Sequence, residues 1–206
     1  MAKIRLSLVF NQSIKIMIAS LVLAILNSSL VTSNSWAQRD LQEEALRAFQ
    51  NFTSMTEGQR MNAATQMNSD EKAMVMMGAA QSTNEVNETI AGMTPSELEK
   101  ATIVLLRFGN FTSQHNGTEA QGLAKLLSVN DNQFLRFENF NVTNGPDLHV
   151  YFTNGQDINS GMDLGMLKGN MGAQNYFLGG IADKYDTIVI ASKPFGTIFA
   201  TSSLRS

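Results

Sequence analysis

The stretch Phe137 to Phe152, FENFNVTNGPDLHVYF, narrows the folds open to this chain more than any other, because a fixed turn splits it into two extended segments. Pro146 locks its own φ and pushes Gly145 out of the helical region, so no helix can run through this point. Beyond the turn, Leu148, Val150 and Phe152 share one face and His149, Tyr151 and Thr153 the other, the two-residue period of a half-buried strand. Upstream, Phe134, Phe137 and Phe140 punctuate a segment of mixed polarity. Two strands joined by a loop are expected, with His149 facing outward.

The same short period runs through the second half of the chain. Candidate strands are Ile103 to Phe111, Glu119 to Val129, Gln133 to Phe140, Leu148 to Thr153, Ala173 to Leu178, Thr187 to Ser192 and Thr197 to Leu204. Turn residues separate them at Asn116-Gly117, Asn130-Asp131-Asn132, Asn144-Gly145-Pro146, Asn154-Gly155 and Gly179-Gly180. Strands at this spacing point to an all-β sandwich or small barrel of about seven strands. The last two, either side of Pro194, should form a hairpin with Phe195 and Phe199 in the core.

Residues 38–102 differ in composition. Seven methionines fall between Met55 and Met93, and four helix starts recur: Thr56 with Gln59, Asn68 with Glu71, Ser82 with Glu85, and Thr94 with Glu97. Each pairs an N-cap side chain with an acid or amide at N3, the capping-box arrangement. Short helices joined by tight turns are expected, after an amphipathic helix around Leu41 to Phe52. The fold class is therefore α+β, an N-terminal short-helix segment followed by the β domain at 103–206.

From Gly109 to Leu204 the chain resembles the DM-thirteen domain family, a β-rich extracytoplasmic module associated with DOMON-type proteins and suspected of electron transfer. The matching pieces are Gly109-Asn110-Phe111, His115 with Gly117, Asn139-Phe140, and Gly145-Pro146-Asp147-Leu148 with Val150-Tyr151. They continue with Leu164-Gly165-x-Leu167-Lys168-Gly169, Gly172-x-Gln174-x-Tyr176 and Ile190-Ala191-Ser192-Lys193-Pro194-Phe195. The resemblance implies a redox-active cysteine just before the Lys-x-Phe pair, where this chain has Ser192. Ser192, His115 and Asp147 are accordingly the candidate pocket.

Residues 1–37 read as a signal peptide. Lys3, Arg5 and Lys15 give a positive start, Ile16 to Leu26 is an apolar run, and Ser35-Trp36-Ala37 suits cleavage after Ala37. The apolar run is well short of the ~20 residues that span a bilayer, although an uncleaved anchor extended by Leu30 and Val31 is the alternative. A secreted or cell-surface, extracytoplasmic location follows either way, with membrane contact only through this leader. With no cysteine in the chain, disulfides, thiolate catalysis and Cys-ligated clusters are excluded. There is no basic stripe to neutralise phosphates, so a nucleic-acid partner is not expected.

Candidate chemistry is sparse. Met74, Met76 and Met77 could offer thioethers to copper, but a helix places only Met74 and Met77 together, and core packing is the stronger reading. His115 and His149 could share a metal if the strands brought them together. Asp157-x-Asn159-x-Gly161-x-Asp163 resembles part of a calcium loop without its distal glutamate, and reads better as a polar loop. The glycine-rich run from Gly165 to Gly172 has no Gly-Lys-Ser/Thr ending and reads as a backbone turn. No hydrolase arrangement emerges, and an enzyme is not expected. Sequons at Asn51, Asn87, Asn110, Asn116 and Asn141 are glycosylation candidates that must be exposed to be used. The function expected is a non-catalytic binding module for an extracellular protein or surface ligand, requiring no cofactor. The alternative, implied by the family, is an electron-transfer accessory binding haem or copper.

Overall fold

A computed structural model of the chain describes residues 35–114, 117–180 and 182–206, with side chains from residue 38. Residues 1–34 of the leader, His115 and Asn116 lie outside the described residues. No described helix is long and apolar enough to cross a membrane.

Three helices come first: α1 (Ser35–Thr53), α2 (Glu57–Gln66) and α3 (Ser69–Ala80). The capping boxes set two of the starts. Gln59 accepts from the Thr56 N–H at 2.9 Å, and Glu71 from the Asn68 N–H at 2.9 Å, while each N-cap side chain accepts from the third residue of its helix. Gly78 explains how α3 meets α1. A Cβ there would lie 2.0 Å from the Ala45 carbonyl oxygen and 2.8 Å from Phe49 Cβ, so only glycine permits this approach. Met74, Val75 and Ala79 are buried on α3, and Met76 packs against the core of the β domain. The Ser82–Glu85 pair starts no helix. Instead Glu85–Asn87 forms a strand, β1, and the chain then makes one helical turn, α4 (Pro95–Leu98), which Glu97 caps by accepting from the Thr94 N–H at 2.7 Å.

Nine further strands follow: β2 (Ile103–Asn110), β3 (Thr112–Ser113), β4 (Ala120–Val129), β5 (Asn132–Val142), β6 (Leu148–Thr153), β7 (Met162–Met166), β8 (Met171–Phe177), β9 (Thr187–Ser192) and β10 (Ile198–Ser203). Two five-stranded sheets result, ordered β1-β8-β5-β4-β2 and β3-β10-β9-β6-β7. All pairings are antiparallel except β1 with β8, which is parallel in the register Glu85↔Met171. The fold is the expected α+β sandwich, with ten strands among the described residues instead of about seven. The additions β1, β3 and β7 are edge strands of two to five residues, too short or too glycine- and methionine-rich to show a period.

The core lies between the sheets. Leu126, Leu135, Phe137 and Phe140 from the first sheet meet Val150, Phe152, Ile188, Ile190 and Phe199 from the second, all at most 2% exposed. Phe111, Phe137 and Phe140 form an aromatic cluster with ring centroids 4.8–5.0 Å apart. The Gly145-Pro146-Asp147 pivot does not close a hairpin. It carries the chain from β5 in one sheet to β6 in the other, and a Cβ at Gly145 would sit 2.3 Å from Phe199 Cζ, so the crossing is tight. β9 and β10 do pair as a hairpin. Phe199 is in the core as expected, but Phe195 sits half-buried near the hairpin tip, stacked on Phe52 of α1 at 5.3 Å.

Candidate functional site

Asp147 occupies the sheet-crossing turn with φ 53°, the left-handed region that Asp enters more readily than most residues. Two bonds pin this turn to the β9–β10 hairpin. The Ser192 hydroxyl donates to the Pro146 carbonyl at 2.6 Å, and the Lys193 N–H donates to the Asp147 carbonyl at 3.0 Å. The Asp147 carboxylate, 1% exposed, accepts from Arg60 Nε of α2 at 2.8 Å, and Arg60 also donates to the Met55 carbonyl at 2.6 Å.

His149 follows two residues later on β6. Its Nδ1 lies 2.8 and 2.9 Å from the Asp163 carboxylate oxygens on β7, and its Nε2 lies 3.7 Å from Asp147 Oδ1. Lys193 closes the circuit with Asp163 at 3.1 Å and Glu57 of α2 at 2.8 Å. The group therefore joins three carboxylates, Glu57, Asp147 and Asp163, to Arg60, Lys193 and the imidazole. Charges balance when His149 is cationic.

His149 Nε2 and Asp147 Oδ1 are both buried without a hydrogen-bond partner. A neutral ring that donates from Nδ1 to Asp163 turns the Nε2 lone pair on a carboxylate. The protonated ring presents a donor to each acid. Burial pulls the His149 pKa down, but Asp147 and Asp163 outweigh it and hold it above the ordinary 6.5. Burial likewise raises Asp147 and Asp163, and the imidazole between them, with Arg60 bonded to Asp147 and with Lys193 and the Gly165 N–H beside Asp163, brings both below the ordinary carboxylate range. Tyr151, stacked on His149 with centroids 6.2 Å apart, is pushed up to about 12 by burial and by the Asp163 charge.

The sign for stability follows. A histidine raised on folding contributes stabilisation that is fully present below pH 6.5 and is lost as pH rises through its folded value. Denaturant unfolding from weakly acid to alkaline pH should show stability falling over that interval, and His149→Gln should flatten the slope. An unchanged slope in that variant would remove His149 from the account.

Of the expected site residues, Ser192 and Asp147 do come together, and His149 joins them. His149 does not face outward: it is 4% exposed, because both faces of β6 are covered. His115 lies outside the described residues. Met74 and Met77 stay on α3, with Met74 3% exposed in a packed position. Met74→Leu and Met77→Leu should each cost less than about 1.5 kcal/mol, read by thermal unfolding; a metal lost from the double variant would contradict packing. Among the described residues no cluster of three or more His, Cys, Asp or Glu has metal-holding geometry. In the calcium-like loop, Asp157 Oδ1 instead accepts from the Asn159 N–H at 3.0 Å, and Asp163 is committed to His149, Lys193 and the Gly165 N–H. Asn51, Asn87 and Asn110 are exposed, whereas Asn141 lies within β5 and is half-buried.

Glu57, Arg60, Asp163 and Lys193 were not expected as site residues. Lys193 lay inside the closing motif and Asp163 inside the calcium-like pattern, so each carried a faint signal. Nothing local to α2 marks Arg60, whose partner is 87 residues away.

These features define a two-sheet β-sandwich module whose inter-sheet turn is clamped by a buried ion network reaching into an N-terminal helix. Residues 107–204 match the family model described as Electron transfer DM13, so the resemblance carried by the motifs holds over this stretch. Comparison with curated proteins and with solved structures returned no match. The matched stretch starts inside β2 and ends after β10, leaving out α1 to α4 and β1.

Proposed function

We propose that this chain is an extracytoplasmic binding module that engages an extracellular protein or surface ligand without catalytic turnover. One observation carries the reading. At the place where the family resemblance implies a redox cysteine, the Ser192 hydroxyl is fully buried and donates to the Pro146 carbonyl at 2.6 Å, holding the turn rather than facing a substrate. A hydroxyl cannot shuttle between thiol and disulfide. The position is thereby turned to architecture.

The family description favours a second reading, an electron-transfer accessory holding haem or copper. The orphaned His149 Nε2 is the natural ligand atom to test. The fit is poor. Asp147 Oδ1, on a carboxylate held by Arg60, is 3.7 Å from that nitrogen and occupies ground that a macrocycle needs. For copper, the soft ligands on α3 are committed to packing at Met74. An absorbance spectrum with elemental analysis, on protein isolated from its native envelope, separates the readings. A colourless, metal-free folded protein supports the binding module; a stoichiometric metal or haem band overturns it.

A further inference from the structure

Each sheet has two edges, and three of the four strands there are guarded. β1 has three residues with Glu85 and Asn87 exposed, β3 has two, and β7 is broken by a register shift beside Asp163. Short edges, charges and bulges are the usual protection against edge-to-edge pairing. β2 is different. It runs for eight residues, and among the described residues only its far half is covered, where Phe108 exchanges backbone hydrogen bonds with Arg205 at 2.9 and 2.8 Å.

The near half is open and apolar. Ile103, Val104 and Leu105 are 37%, 48% and 50% exposed. The Thr102 carbonyl accepts from the Asn130 N–H at 3.0 Å, and antiparallel pairing alternates, so Ile103 and Leu105 turn their N–H and C=O groups away from β4. On the outer face of this sheet, Leu105 heads a cross-strand row that continues through Leu127 and Phe134 to Phe177, which is 63% exposed.

We propose that this open half of β2 pairs antiparallel with the same strand of a second copy, about a two-fold axis at Val104. The register is self-complementary. Ile103 faces the partner's Leu105 and Leu105 the partner's Ile103, both with outward backbone groups, giving about four backbone hydrogen bonds. No like charges meet, because the paired segment carries none and Lys100 falls opposite Phe108. The Leu105 row continues across the axis on one face. Arg205, already paired to Phe108, ends the join on each side. So short a strand contact buries less than a standard interface, and the association is weak and concentration-dependent.

Sedimentation of the full protein, isolated from its host, tests this across micromolar to millimolar concentration, with hydrogen exchange at the Ile103 and Leu105 amides. A monomer–dimer equilibrium is expected, with those two amides slowing as concentration rises. Leu105→Lys should abolish both effects while leaving the circular dichroism spectrum intact, since the side chain is half in water. Phe177→Ser, on the same apolar row but away from the edge, should still dimerise. A monomer at every concentration, a dimer that survives Leu105→Lys, or one lost in Phe177→Ser would each overturn the pairing.

Discussion

Asp147→Ala is expected to lower the free energy of unfolding by about 3–5 kcal/mol, the range found when one partner of a buried ion pair is removed. The reason lies in what remains. Arg60, 12% exposed, keeps its charge without the carboxylate, and His149 loses one of its two acids. Alanine also tolerates φ 53° less well than aspartate, adding backbone strain. Asp147→Asn separates these causes, because it keeps the left-handed turn and an acceptor for Arg60 while removing the charge. Urea unfolding at neutral pH should place it between wild type and Asp147→Ala. A loss below about 1 kcal/mol in the alanine variant would rank the pair with exposed surface bridges and undo its structural role. A double-mutant cycle with Arg60→Met isolates the pair itself.

Phe137→Ala should cost about 3–5 kcal/mol, as large aromatic deletions in packed cores do. Phe137 is fully buried, and its ring meets Phe111 edge-on at 4.9 Å, Phe140 at 5.0 Å and Tyr176 at 5.5 Å. Backbone hydrogen bonds from both neighbouring strands hold the surrounding sheet, so the cavity cannot collapse easily. Phe137→Leu, which keeps most of the volume, should lose clearly less. Equal losses in the two variants would show that ring geometry, not volume, decides the site.

Much of the sandwich was legible because its signals are local. Leu148 to Thr153 and Thr187 to Ser192 carry a period or an apolar run that shows in six residues, and both strands have the expected bounds. The capping boxes at Thr56 and Asn68 are equally local, and both hold. At Ser82 the same pattern fails because β8 offers an open edge, and Glu85–Asn87 gains strand pairing there instead of helical turns. His149 was misplaced for a related reason. Alternation assigns it to the face opposite Val150, but cannot say that this face is covered as well. The ion network was least visible, since Glu57 and Arg60 reach it from a helix whose own sequence gives no hint of a distant acid.

The parallel β1–β8 pairing and the Arg60–Asp147 bond each close a loop of more than eighty residues, running from early in the chain to late. Local helices form fast, while contacts of this span are slow. On a ribosome, α2 and α3 leave the exit tunnel well before β6 and β8 exist, with Met76 still lacking the β-domain core it packs against. The nascent chain therefore carries an unfinished apolar surface through most of its synthesis, and Asp147 is among the residues whose arrival ends that wait.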